Sequence, residues 1–343
     1  MKFIAKKPLC IIALMHEDLV PPDSTDGLTD KEIQPWKMEY DVCVTLEGMG
    51  HTVHKIGLRS DLVVIREALD TIKPDIVFNM LEEFDGQFLF DQNVVSYLEL
   101  KKVPYTGCNP RGLTLAHDKA LCKKILSYHR IPVPEFAVFQ YGRKVKRPKR
   151  LKFPLLVKSL DAEGSIGISH ASICNDDESL AERAQFIHRQ SDGPAIAEQY
   201  IKGREIYSSV VGNERLQTFV PWELVIENLP EGAPNIATSK LKWDYEYQKK
   251  VGLKNQPANL SPELERKLSR LAKRIYRALY LSGYARLDFR MTEEGEFYLL
   301  EANPNPSLSY GEDFPEAVEH SGVPYDELLQ LIINHGLHYH RNR

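Results

Sequence analysis

A chain of 343 residues exceeds one ordinary domain, so two or three folded units are expected. Its 43% hydrophobic content suffices for real cores, and a formal net charge of −4 excludes the global basic field that gathers nucleic acid. No apolar run approaches the length of a membrane span. Five scattered cysteines without CxxC spacing exclude a disulfide framework or zinc site and fit a reduced, cytoplasmic protein.

Residues 9–15, LCIIALM, read as a buried strand; Lys2, Lys6 and Lys7 lack the apolar core and cleavage site of a leader. A polar loop follows, then a helical stripe of Trp36, Tyr40 and Val44 that stops at Gly50, then a strand at 52–56. Leu62, Ile65, Leu69 and Ile72 recur at helical spacing, Pro74 ends that helix, and DIVFNML (75–81) is a third strand. Strands alternating with helices imply a parallel sheet with helices on its faces. Residues 81–92 leave the C-terminal end of a strand, where open α/β sheets place ligands, and carry Glu82, Glu83, Asp85 and Asp91. A helix at 91–101 and the connector PYTG close this unit.

A second unit starts with a helix at 117–128 carrying Lys119, Lys123 and Lys124. Strands at 136–140 and 153–158 flank a basic run, 143–152, which reads as a solvated loop because it lacks interleaved aromatics. Lys158 precedes a loop with Ser165 and glycines 164 and 167; such glycines let backbone N–H groups approach phosphate oxygens, although an ordinary strand-to-loop lysine reads the same way. An acidic helix start at 176–178 and strands at 195–199 and 205–211 follow. The third unit has a strand at 216–226, a long polar segment at 227–259, and a helix capped by Ser261 with Pro262 in its first turn. A loop with Glu312 and Asp313 precedes a last helix at 324–334, and His335, His338 and His340 read as a solvated tail.

Residues 283–306, GYARLDFRMTEEGEFYLLEANPNP, carry the most chemistry. They read as a hairpin turning at Glu294-Gly295. Alternation puts Arg286, Asp288 and Arg290 on one face of the first strand, and Phe297, Leu299, Glu301 and Asn303 together on the second. Pairing Glu293 with Glu296 sets Asp288 opposite Glu301 and Arg286 opposite Asn303. Opposed carboxylates repel, so positive charge is expected between them. Their hard oxygens suit Mg²⁺, and Arg286 beside a metal suits a nucleotide phosphate; a salt-bridged surface hairpin is the alternative.

The order DK (118–119), FPLLVK (153–158), Gly-Ser loop, EQYIKGRE (198–205), R-x-D (286–288) and E-x-N (301–303), with VFNML, PYTG, IPVP and YLLEANPNP, resembles the ATP-grasp superfamily and, within it, its D-alanine–D-alanine ligase-like branch. The resemblance implies an α/β fold with an α+β catalytic part: a Rossmann-like pre-ATP-grasp domain (1–110), a central lid (111–201) and a C-terminal catalytic domain (202–343), with ATP between the last two. It implies that Lys119 and Lys158 bind ATP phosphates, that Ser165 lies in a loop over them, that Glu198 and Ile201 hold the adenine, and that Glu205 holds the ribose. The resemblance likewise implies that Lys242 reaches the γ-phosphate, with Lys240 its competitor. By the same resemblance Asp288, Glu301 and Asn303 would hold two Mg²⁺, Mn²⁺ being a substitute, and Arg286 would stabilise the transferring phosphoryl group. The reaction implied is carboxylate–amine ligation through an acylphosphate, on small-molecule substrates, with neither nucleic acid nor membrane as partner; a homodimer is compatible with it.

The chain also departs from that branch. Met15-His16-Glu17-Asp18 stands at a Gly-Gly-Ser-type start, Leu81-Glu82-Glu83 at a Leu-His-Gly, and Ser165 alone at a Ser-Ser pair. Ser307 replaces an oxyanion-holding glycine, and Glu312-Asp313 falls where a Ser-Leu pair receives the second D-alanine. The acids lead to the expectation of a substrate other than D-alanine. A true D-alanine–D-alanine ligase and a non-catalytic ATP-binding regulator are the alternatives; a nicotinamide dehydrogenase lacks its Gly-rich turn.

Overall fold

In a computed structural model that describes residues 7–160, 168–228, 236, 238, 240–241 and 244–341, the first unit is a parallel sheet. Strands Cys10–His16 (β1), Thr52–Leu58 (β2) and Ile76–Asn79 (β3) stand in the order β2-β1-β3. Between them run helices Asp30–Ile33 (α1), Lys37–Gly48 (α2) and Leu62–Ile72 (α3), and Asp91–Leu100 (α4) follows. The start of α3 is fixed locally: the Asp61 carboxylate accepts the Val63 N–H at 2.8 Å, and Ile65 and Leu69 point inward.

The helix expected at 117–128 runs from Lys119 to Tyr128, and a helix that the sequence reading did not expect precedes it. Pro110–His117 (α5) begins where the Asn109 side chain accepts the Gly112 N–H, and Lys119–Tyr128 (α6) begins where Asp118 accepts from the N–H groups of Ala120 and Leu121. One aspartate thus ends one helix and caps the next, setting Lys119 in the first turn of α6.

Strands Phe136–Phe139 (β4), Leu155–Ser159 (β5), Ile173–Cys174 (β6) and Ala195–Gln199 (β7) form a small antiparallel sheet, ordered β4-β7-β5-β6, backed by Asp177–Ser191 (α7). The large sheet takes Arg204–Gly212 (β8), Leu216–Thr218 (β9), Trp222–Ile226 (β10), Leu253–Pro257 (β11), Tyr284–Met291 (β12) and Phe297–Pro304 (β13). The strand expected at 216–226 is interrupted, since Pro221 has no N–H to give a ladder. The polar segment holds helix Tyr245–Val251 (α8) as well as β11. Pro262–Ala278 (α9), Asp313–Glu319 (α10) and Tyr325–Arg341 (α11) complete the chain. His335, His338 and His340 therefore ride on α11 instead of a loose tail, and the His335 carbonyl accepts from Asn213 Nδ2 at 3.0 Å.

The first sheet is covered on both faces, as a parallel sheet requires. Ile11, Ala13 and Phe78 pack with Val42 of α2 and Leu328 and Ile332 of α11. Ile12, Leu14 and Val77 share one core with α5, α6 and the inner face of the large sheet, including Leu287, Phe289 and Leu299. The small sheet keeps its own core with Leu180, Ala184 and Ile187. Where PYTG meets the end of β13, the Cys108 N–H donates to Asn305 Oδ1 at 2.8 Å. A Cβ on Gly283 would sit 2.4 Å from the Gly107 carbonyl oxygen, so this junction is backbone against backbone.

Candidate functional site

The hairpin pairs as the sequence suggests at the residues that matter: Asp288 opposes Glu301 and Arg286 opposes Asn303. It does so by another route. The turn is one residue longer than expected, with Thr292 N–H bonded to Glu296 O, and Met291 pairs with Phe297. A bulge between Asp288 and Phe289 then sets two residues of β13 against one of β12, and Leu300 is the extra residue. The two offsets cancel at Glu301. The bulge also changes the faces: Phe297, Leu299 and Ala302 enter the core, whereas Leu300 and Glu301 face the cleft, so strict alternation along this strand fails.

The positive charge expected between the carboxylates comes from the protein itself. Arg286 grips Asp288 with two hydrogen bonds, 2.8 and 3.0 Å, approaches Asp313 at 3.5 Å, and lies over the Tyr207 ring. Its guanidinium is held firmly charged against the cost of burial by Asp288 and Asp313. Asn303 Nδ2 donates to Asp288 at 2.8 Å, and Lys119 Nζ, at the head of α6, lies 3.2 Å from Glu301.

Across a narrow cleft lie Lys158 of β5 and Glu198 to Ile201 from the end of β7. Glu198 and Ile201 are both buried. Glu205 of β8 accepts from Tyr207 Oη at 2.9 Å and pairs with Arg290 at 2.8 Å. Glu198 is gripped by Lys123 at 3.0 Å, with Lys158 at 3.6 Å. Burial pushes its carboxyl up, and Lys123 then Lys158 pull it below the usual carboxylate range. The cleft cavity is about 70 Å³, room for a few waters, so a nucleotide needs its walls to part.

Lys119, Lys158, Glu198, Ile201, Glu205, Arg286, Asp288, Glu301 and Asn303 thus converge, linked by ion pairs or by shared lining of one cleft. Ser307 lies just beyond β13, its hydroxyl accepting the Ser309 N–H at 3.3 Å. Ser165 and Lys242 lie outside the described residues. Lys240 sets its ammonium 4.5 Å over the Tyr247 ring, in a groove shared with His170 and Arg183. Sequence reasoning gave no role to Lys123 or Arg290, the two cations that hold Glu198 and Glu205. Their signals were present: Lys123 is one helical turn from Lys119, and Arg290 shares the β12 face of Arg286.

Among the described residues no three or more His, Cys, Asp and Glu side chains converge as a metal cage. The donor set nevertheless fits Mg²⁺, which takes one or two carboxylates and shares the rest of its shell with phosphate and water. Asp288 and Glu301 supply those carboxylates, and rotation of the Asn303 amide would turn its oxygen toward the same place.

Some acids near the mouth of the first sheet have partners. Arg59 pairs with Glu17 and Asp18, His16 Nε2 lies 3.4 Å from Glu83, and Asp313 has Arg286. Glu312 and Asp313 begin α10, where acids suit the helix N-terminus. Of the acids behind the expectation of a substrate other than D-alanine, Asp313 thus has a cationic partner, whereas burial and the neighbouring Glu83 push the Glu82 carboxyl above its usual range.

Glu39 on α2 differs. It is 2% exposed, and burial, with a smaller push from Glu82, raises its carboxyl to about 7. The folded value lies above the unfolded 4.5, so its ionisation works against folding as pH rises through that window and at full strength above it. Glu39→Gln is expected to gain about 3 kcal/mol relative to the parent at pH 8 and almost nothing at pH 4.5, read by denaturant unfolding at both pH values. An equal effect at the two pH values would show that folding does not shift the Glu39 carboxyl.

Residues 125–334 match the family model described as D-ala D-ala ligase C-terminus. The chain is 33% identical over 307 residues to a D-alanine–D-alanine ligase of Solibacter usitatus, spanning 88% of each protein. It is 32% identical over 286 residues to one of Syntrophotalea carbinolica, spanning 83% of this chain and 85% of that protein. Its fold matches the crystal structure of D-alanine–D-alanine ligase from Bacillus anthracis complexed with ATP, with a TM-score of 0.74 and 22% identity, over 97% of this chain and 99% of that one.

Proposed function

The chain belongs to the D-alanine–D-alanine ligase family of ATP-grasp enzymes and is an ATP-dependent ligase that forms C–N bonds; from this premise we propose that it joins two D-alanine molecules. The observation that carries the proposal is the facing of Asp288, Glu301, Asn303 and Arg286 on one hairpin toward Lys119 and Lys158. The names of the relatives favour D-alanine over another amine.

In this reading one substrate carboxylate attacks the γ-phosphate of ATP, giving an acylphosphate and ADP. The amine of the second substrate then attacks that carbonyl, and phosphate leaves. Lys119 and Lys158 hold phosphates, Glu198 and the backbone near Ile201 hold the adenine, and Glu205 holds the ribose. Arg286 is aimed at the charge that develops on the transferring group. Ser165 in the glycine loop, Lys242 toward the γ-phosphate, and Ser307 near the oxyanion complete the assignment. Asp288, Glu301 and Asn303 would hold two Mg²⁺, which when bound neutralise phosphate charge. The domain division proposed is 1–110, 111–201 and 202–343. The chain's own part is positioning and charge neutralisation.

Incubation with ATP, Mg²⁺ and D-alanine should yield the dipeptide by mass spectrometry. ADP release with a different amine and none with D-alanine would favour the second reading, which rests on Leu81-Glu82-Glu83 at the sheet mouth. Lys158→Ala should weaken ATP binding at least tenfold, about 1.4 kcal/mol, by calorimetry. Unchanged affinity would remove Lys158 from the phosphate site.

A further inference from the structure

Lys123 is not one of the groups assigned above to ATP, yet it is among the most deeply buried side chains of the protein, at 2% exposed. Burying an ammonium is costly unless it is paired and hydrogen-bonded. Both conditions are met by elements from opposite walls of the cleft. Lys123 Nζ lies 3.0 Å from Glu198 Oε1 on β7 and donates to the Leu300 carbonyl on β13 at 2.6 Å. Leu300 is the bulge residue, and its carbonyl is turned to this use instead of to an ordinary ladder pair.

We propose that Lys123 sets the nucleobase specificity of the site: by fixing the Glu198 carboxylate as a hydrogen-bond acceptor at the base edge, it makes the cleft select a 6-amino purine over a 6-oxo purine. The inference rests on the nucleotide reading of the cleft. A carboxylate is an acceptor only. It takes a hydrogen bond from an exocyclic amine and meets an exocyclic carbonyl with two facing lone pairs. A polar group left without its partner in a buried site is what produces strong rejection of an analogue. Without Lys123, the Glu198 carboxyl either takes up a proton, becoming a donor to the 6-oxo group, or swings toward Lys158 and leaves the base edge. Both changes reduce the discrimination. Lys123 does not touch the reacting atoms; it is a positioning residue acting through Glu198.

The test compares ATP with inosine triphosphate, which carries a carbonyl at position 6, by calorimetric titration of the full chain with Mg²⁺. The parent should prefer ATP at least tenfold. Lys123→Met should bring the ATP-to-ITP ratio of dissociation constants to within about threefold of unity, and Lys123→Arg should restore most of the preference. Glu198→Gln, which keeps the lysine and offers an amide able to donate, should relax the ratio in the same direction. This gives a readout even if Lys123→Met folds poorly. If Lys123→Met and Glu198→Gln weaken both nucleotides equally and keep the parental ratio, Lys123 is a structural tie and the inference is overturned. If the parent binds neither nucleotide, the nucleotide reading itself falls, a result separable from the first.

Discussion

Asp288→Asn is expected to lower turnover by on the order of 10³-fold, the scale of losing one preorganised charge partner at a reacting centre. The side chain keeps its shape, so the loss would be one of charge. Asp288 accepts both hydrogen bonds of the Arg286 fork and a third from Asn303, and it would be a ligand of the ion. An amide here turns an N–H₂ toward a buried guanidinium and leaves Arg286 to lean on Asp313 at 3.5 Å. The variant should therefore also lose about 2 kcal/mol of stability, since breaking one side of a largely buried pair costs more than the pair contributes. Two opposed carboxylates would by themselves suggest that neutralising one helps folding. Arg286 and Lys119 already separate them, so the sign reverses. Glu301→Gln should follow the same pattern, leaving Lys119 with the Leu160 carbonyl at 3.4 Å. ADP-release kinetics and denaturant unfolding on the same samples check both halves. Parental turnover in either variant would remove that residue from the metal set.

Gly283→Ala should be strongly destabilising for the addition of one methyl group. Gly283 has φ of +70° at the start of β12, and an added Cβ would lie 2.4, 2.6 and 2.8 Å from the oxygen, carbonyl carbon and Cα of Gly107. None of these is the end of a flexible side chain, so strand and connector must separate. Gly142 is the control: its φ is also +70°, and nothing lies within 4 Å of its added Cβ. Gly142→Ala should cost about 1 kcal/mol, the ordinary cost of a left-handed alanine, and Gly283→Ala about 4 kcal/mol. Equal costs in urea unfolding would show that the junction yields freely.

Much of this was legible because it was local. Asp61, Asp176 and Ser261 announce helix starts by chemistry within three residues. The β12–β13 partners of the site could be counted from a turn, although the count was right only because a longer turn and the Leu300 bulge offset each other. Neither is visible in alternation, because a bulge is decided by what the strand must reach. Here that includes Lys123, 177 positions away. Helix α5 was missed, and Asp118, which ends it and caps α6, declares that role only in the backbone. The cations that hold Asp18 and Asp313, Arg59 and Arg286, come from distant segments and so could not be read locally.

The first sheet and the catalytic sheet share one interior: Ile12, Leu14 and Val77 are packed with Leu287, Phe289 and Leu299, and α5 and α6 fill the seam. This limits how substrate choice can be re-engineered. Grafting residues 1–110 from a relative to exchange the mouth would tear half of a continuous apolar core from its complement. The chimera would present mismatched surfaces before any question of specificity arose. A graft that carries residues 1–128 still has to match the inner faces of β12 and β13. The loop after β3 also joins that interior through Leu81 and Phe84, so point changes are best confined to Glu82 and Glu83, which are not part of it.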